Sequence, residues 1–254
     1  MACLNLLDHR FLLDELNHIN CPAFEFMIYS IWTYRYNDVA KMLKSGGFQF
    51  NSMHGPKQTG RMLSGDNPED HILAKEMLKD SIDTANDIGA SVLTIHLWDQ
   101  NSTDPKLKRN LDSLYELKDY AIDRGVKVSV EFIPHTQGGG YVPTAEYLYH
   151  NMDPALSFTL DLEFAAWNNE IAEMARFADR ISNVHIRDYN GSPVDENGRR
   201  YYCLPGKGNT DFAFAFRELE KNGYSGLYTL EARHYSTKDI NDSLTMLYKM
   251  MSSG

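Results

Sequence analysis

Residues 128–135 read VSVEFIPH, and the fold turns on how that stretch is understood. An apolar, β-branched run of this kind is a strand buried on both faces, yet Glu131 lies inside it and a Pro-His pair closes it. An isolated buried carboxylate costs several kcal/mol or takes up a proton, so Glu131 needs a cation, a metal or a hydrogen-bond network beside it. The rest of the chain has to supply that partner.

Runs of the same kind recur at 23–29 (AFEFMIY), 48–54 (FQFNSMH), 91–97 (SVLTIHL), 126–132 (VKVSVEF), 156–162 (LSFTLDL), 181–187 (ISNVHIR) and 227–233 (LYTLEAR). Amphipathic stretches separate them, at 36–47, 68–90, 105–125, 143–152, 170–179 and 212–223. Pro68, Pro105 and Pro143 stand where a first helical turn tolerates proline, and Gly46, Gly89, Gly125 and Gly223 stand where a C-terminal cap favours glycine. ACLNLL (2–7) is an eighth strand candidate, followed by a short helix near 11–19. Strands alternating with helices pair in parallel through right-handed crossovers, and eight repeats in 254 residues predict a (β/α)8 TIM barrel. A doubly wound open sheet is the alternative, but no G-x-G-x-x-G follows the first strand. With no linker or low-complexity tract, residues 1–254 are expected to form a single domain. The longest irregular segment, 188–211, follows a strand, which in a barrel puts it on the catalytic face.

The formal charge of −10 and the absence of any Lys/Arg run longer than Arg199-Arg200 argue against a nucleic-acid partner. No apolar stretch reaches the ~18 residues of a membrane span, and the N-terminus meets Asp8 too soon to hold a signal-peptide core. Cys3, Cys21 and Cys203 have no C-x-x-C spacing, which fits a reducing compartment. The chain is expected to be cytoplasmic, without nucleic-acid or membrane partners.

The strand ends carry the chemistry. His54, His96, Glu131, Asp161, His185 and Glu231 stand at or near the C-terminal ends of six successive strand candidates, and in a barrel those ends converge on one mouth. Glu131, Asp161 and Glu231 gathered without a cation would repel one another. A divalent metal removes the conflict, and mixed carboxylate and imidazole ligation by Glu131, Asp161, His185 and Glu231 suits Mn2+, Zn2+, Co2+ or Fe2+. Salt bridges to Arg187 and Arg233 are the competing explanation, since each lies two residues beyond its strand's His or Glu and so on the same face.

The stretches SMHGP (52–56), LTIHL (93–97), VEFIPH (130–135), TLDLEFA (159–165), VHIRD (184–188), LPGKGNTDF (204–212) and LEARHY (230–235) resemble those of the xylose isomerase-like TIM-barrel superfamily. That superfamily includes sugar-phosphate isomerases and epimerases, ketose 3-epimerases, inosose isomerases and dehydratases, hydroxypyruvate isomerases and endonuclease IV. The resemblance implies a metal-dependent isomerase or epimerase acting on a sugar, ketose or cyclitol. Glu131, Asp161, His185 and Glu231 would hold one divalent ion, and Glu131 and Glu231 would remove and return a proton through a metal-stabilised enediolate. His54, His96 and Arg187 would bind substrate oxygens, and Lys207 would help close the loop over the site. A metal-dependent lyase, dehydratase or C-glycoside-cleaving subunit is the alternative on the same barrel, and barrels of this kind often assemble as homo-oligomers.

The chain departs from the superfamily pattern in two places. Where relatives commonly carry D-x-x-H after the fifth of these strands, Phe164 stands in the histidine's position, pointing to a smaller or more apolar substrate end. The further His and Asp ligands that endonuclease IV needs for a three-zinc cluster are missing after His185. Trp98, Trp167 and Tyr235 follow strand ends, where aromatic rings either stack on a sugar or pack. His135 lies just past its strand, a candidate for contact behind the site.

Overall fold

The computed structural model describes residues 1–4, 11–28, 36–100, 102, 106–135, 141–192, 194–198, 201–232 and 236–252. Pro105, Arg233 and Tyr235, singled out above, lie outside these residues. Eight strands alternate with helices: β1 (Ala2–Leu4), β2 (Phe24–Met27), β3 (Phe50–His54), β4 (Val92–Ile95), β5 (Lys127–Phe132), β6 (Ser157–Asp161), β7 (Ile181–Ile186) and β8 (Leu227–Ala232). Each pairs in parallel with the next, and β1 pairs with β8, so the sheet closes into the expected barrel.

The helices are α1 (Leu12–Asn17), α2 (Tyr36–Ser45), α3 (Gln58–Ser64), α4 (Pro68–Ile88), α5 (Leu107–Asp123), α6 (Tyr141–Asn151), α7 (Leu162–Trp167), α8 (Ile171–Ala175), α9 (Phe212–Lys221) and α10 (Thr237–Ser252). The longest, α4, follows directly from its sequence. Asn67 caps it by accepting a hydrogen bond from the Glu69 amide, Pro68 fills the first position where no amide is needed, and Gly89 ends it at φ 80°. Ala74, Leu78, Ile82 and Ala85 recur every three or four residues and turn one stripe into the core. Burying a Leu or Ile there contributes about 1.5–3 kcal/mol.

The structure differs from the sequence reading in a few elements. The stretch 170–179 breaks into α8 and a 3-10 turn at Ala178–Arg180. Three helices were not anticipated. The first, α3, fills the connection between β3 and α4, and α7 starts because the Asp161 side chain accepts from the Glu163 amide and caps it at the last residue of β6. The third, α10, buries Ile240, Ser243, Leu244 and Leu247, a helical stripe that the sequence does contain.

Strand β5 answers the question posed by VSVEFIPH. Its side chains alternate, so Val128, Val130 and Phe132 join the core between barrel and helices while Ser129 and Glu131 project into the barrel. The same two-residue step holds on six strands and builds two layers inside the barrel. Ser52, Thr94, Ser129, Thr159, Asn183 and Thr229 form the lower one, each completely buried. Two residues further along each chain segment come His54, His96, Glu131, Asp161, His185 and Glu231, the upper layer at the C-terminal mouth.

Candidate active site

The lower layer is held by two sets of hydrogen bonds. Thr159 bonds Thr94 at 3.0 Å and Ser129 at 2.7 Å through its hydroxyl, and Thr229 donates to the Asn183 side-chain carbonyl at 2.9 Å. One charged residue joins this level. Glu25, on β2, accepts from the Ser52 hydroxyl at 2.6 Å and the Asn183 amide at 2.9 Å with one oxygen. Its other oxygen lies 3.1 Å from His185 Nε2.

Above this floor the ionisable groups meet. Glu131 receives His54 Nε2 at 3.1 Å and His96 Nε2 at 2.7 Å on one oxygen, and His185 Nδ1 at 3.2 Å on the other. His54 Nδ1 donates to the Gly55 carbonyl at 2.7 Å, which fixes its ring. Glu231 stands 3.3 Å from Lys57 Nζ, 3.4 Å from Arg187 Nε and 3.7 Å from His185 Nδ1. Arg187 also pairs with Asp161 and, at 3.2 Å, with Glu163. Its guanidinium lies over the Phe164 ring at 5.2 Å and over the Tyr202 ring at 5.4 Å.

These contacts set the protonation states. Burial opposes the charge on Glu131, but His96, His185 and His54 outweigh it and hold the carboxyl well below the usual range. Glu231 is likewise lowered against burial, by Arg187, Lys57 and His185. Burial depresses His96 to about 4, so its ring is neutral near pH 7. His185 goes the other way: Glu25 and Glu131 overcome burial and raise it well above its ordinary value.

The mouth opens into a cavity of 280 Å³ whose lining includes Lys57, His96, Glu131, Phe164, Arg187 and Tyr202. Tyr202 arrives there from the long loop after β7, which is tied down by the Asp188 carboxylate. That group accepts from the amides of Tyr189, Gly206, Gly208 and Thr210 at 2.8–2.9 Å. Lys207 rides exposed on the same loop.

The structure therefore gathers all seven residues singled out at the strand ends, Arg187 included. Arg187 lines the cavity while its guanidinium pairs with Asp161, Glu163 and Glu231, so the salt bridges anticipated for it are present. Trp98 is fully buried and donates to the Ile133 carbonyl, so it packs. Trp167 is partly exposed and stacks on Tyr189, and His135 bonds Thr144 away from the cluster. Sequence reasoning missed Glu25, Lys57 and Glu163. Glu25 had a signal, a lone carboxylate inside AFEFMIY, equivalent to the one that drew attention to Glu131.

The donor set suits a divalent cation. Ligand atoms of Glu131, Asp161, His185 and Glu231 all lie within 4.8 Å of one another, every one of these residues is buried, and Oε2 of Glu231 has no hydrogen-bond partner. Among the described residues, Glu25, Glu131, Asp161, Glu163 and Glu231 meet two permanent cations, Lys57 and Arg187, an excess of negative charge that an ion at the four-residue group would offset.

Sequence comparison then places the chain. The family model for xylose isomerase-like TIM barrels matches residues 13–250. The chain belongs to the xylose isomerase-like TIM barrel family. Within it, an uncharacterized protein of Methanocaldococcus jannaschii is 27% identical over 182 residues, 68% of this chain and 59% of the relative. An inosose dehydratase of Serratia proteamaculans is 28% identical over 148 residues, 51% of this chain and 49% of the relative. The matches thus span about half to three-fifths of these relatives' own lengths. Among solved structures, a D-tagatose 3-epimerase-like protein superposes with a TM-score of 0.75 at 19% identity, covering 100% of this chain and 98% of that one, a likeness of fold.

Proposed function

We propose that the chain is a divalent-metal-dependent enzyme that moves a proton on the carbon beside the carbonyl of a sugar, ketose or cyclitol, as an isomerase or epimerase. The observation that carries this reading is the convergence of Glu131 and Glu231 with Asp161 and His185 beside a small cavity that Glu131 lines. The relatives and fold neighbours named for inosose and tagatose chemistry support the substrate class.

Glu131, Asp161, His185 and Glu231 would hold the ion. When bound, it would supply Lewis acidity toward a carbonyl and a neighbouring hydroxyl, acidifying the C–H between them. The protein's own groups do the rest. Glu131 and Glu231, kept ionised by their imidazole and cationic neighbours, are the two proton-transfer groups. His54 and His96 orient Glu131 through its outer oxygen, and neutral His96 reaches the cavity to meet a substrate hydroxyl. Lys57 extends beside Glu231 as a donor to an oxygen on the same carbon frame. Arg187 restrains Asp161 and Glu231, and the Phe164 and Tyr202 rings that its guanidinium lies over line the cavity.

A dehydratase would begin with the same proton removal and then expel hydroxide, a second reading favoured by the inosose dehydratase relative. Both readings are tested by incubating the purified protein with ketoses and inososes in D2O. About one divalent ion per chain and uptake of deuterium into substrate are expected, with exchange lost in Glu131→Gln while the circular dichroism spectrum is unchanged. Product that keeps its hydroxyls marks the isomerase, and product short of one water marks the dehydratase. Exchange retained in Glu131→Gln would overturn the proton-transfer role.

A further inference from the structure

We infer that Glu25 is a positioning residue for the metal site, holding the His185 ring so that Nδ1 faces the ligand group; this rests on the reading of Glu131, Asp161, His185 and Glu231 as ligands. The ring stands between two carboxylate environments. Nε2 lies 3.1 Å from Glu25, and Nδ1 lies 3.2 Å from Glu131 and 3.7 Å from Glu231. Without an ion Nδ1 is the nitrogen hydrogen-bonded to Glu131; an ion at the ligand group would take the Nδ1 lone pair, and the acceptor-only carboxylate 3.1 Å from Nε2 would then hold the one proton that a neutral imidazole keeps. Carboxylate partners of this kind commonly fix the tautomer and orientation of a metal-binding histidine.

The surroundings of Glu25 explain why the residue is a carboxylate. Ser52 and Asn183 both donate to its Oε2, the Cys3 thiol also bonds it, and His185 Nε2 stands 3.1 Å from its Oε1, so the groups around it offer it protons. Glutamine would have to turn an NH2 group toward one of those donors. Glu25 is itself held, since Asn183 is fixed by Thr229 from the adjacent strand. The chain Thr229, Asn183, Glu25, His185 therefore runs from the neutral layer to the ligand group, and it crosses from β8 and β7 to β2 through the barrel interior.

The test titrates Co2+ into the full-length wild type, Glu25→Gln and Thr94→Val, following visible absorption, with thermal unfolding of each metal-free protein alongside. Thr94→Val removes a hydroxyl from the same layer on the side bonded to Thr159, away from His185. Glu25→Gln is expected to bind Co2+ about 10–100-fold more weakly and with an altered absorption band, while Thr94→Val loses thermal stability and keeps wild-type affinity. Wild-type affinity and spectrum in Glu25→Gln, or equal losses in both variants, would overturn the inference. Wild type that takes up no Co2+ would overturn the proposed function as well, which separates the two failures. Should Glu25→Gln not fold, the Zn2+-loaded wild type labelled with 15N-histidine decides the matter. A proton on Nε2 of His185 with Nδ1 bound to metal supports the inference, and the opposite arrangement refutes it.

Discussion

Two layers of side chains, one above the other on the same six strands, fill the barrel with opposite results. The lower, of Ser52, Thr94, Ser129, Thr159, Asn183 and Thr229, is small and neutral, and none of its side-chain atoms is among the buried groups lacking a hydrogen bond. In and around the upper layer such atoms collect: Glu231 Oε2, Arg187 Nε, His185 Nε2 and, just beneath, Glu25 Oε1. A barrel interior is more often filled by branched apolar side chains. Here the lower layer acts as a satisfied polar floor, and the unsatisfied atoms of Glu25, His185, Arg187 and Glu231 gather at and just below the mouth, where a ligand can complete them.

The sharpest way to break this contrast is at the mouth. Glu231→Gln is expected to lower substrate C–H exchange in D2O by about 10²–10⁴-fold with the fold intact, the range for a lost acid–base group. A smaller effect is expected on stability from Asp161→Ala, which removes the cap of α7 and one of the three carboxylates paired with Arg187. Urea unfolding of the metal-free protein should show a loss of about 1–3 kcal/mol. In the lower layer, Thr159→Val deprives the Thr94 and Ser129 hydroxyls of their shared partner. It should cost about 1–3 kcal/mol of stability and leave exchange activity unchanged, so a large loss of activity would blur the division between the layers.

The smallest effect is the pH dependence. His96 has a folded value of about 4 against 6.5 when exposed, so the unfolded chain takes up its proton first and stability falls as pH drops through that window. Glu131 and Glu231, both held below 4.5, add a further loss as pH falls below that value. His185 works in the opposite sense: its raised value gives stability that is present below 6.5 and lost as pH rises through the folded value. Urea unfolding across the range should therefore show weakening on the acid side, and His96→Gln should flatten the portion between 6.5 and about 4 and, through Glu131, lessen the loss below 4.5.

Much of this was legible in the chain. The alternation of strand and helix predicted the barrel, because parallel strands need crossovers of that length. The repeated His, Glu and Asp near strand ends predicted a common site. A further signal was present and not read: each of those residues is preceded, two positions earlier, by Ser, Thr or Asn, as in SMH (52–54), TIH (94–96), SVE (129–131), TLD (159–161), NVH (183–185) and TLE (229–231). That period of two is the pleat of a strand, and it encodes both layers locally.

What local pattern does not encode is which groups meet across the barrel. Glu25 and Asn183 are 158 positions apart, and Lys57 and Glu231 are separated by 174. Such pairs exist only because β1 closes on β8 and brings all eight strands around one axis. Closure also decided that Arg187 is engaged by Asp161, Glu163 and Glu231, and that Phe164 and Tyr202, from separate segments, both lie against its guanidinium. The sequence by itself determined the barrel and the kinds of group at its mouth, through periodicities of a few residues. Only the tertiary structure decided their partners, because Coulomb and hydrogen-bond energies depend on distances through space and on burial, which the order of residues along the chain does not specify.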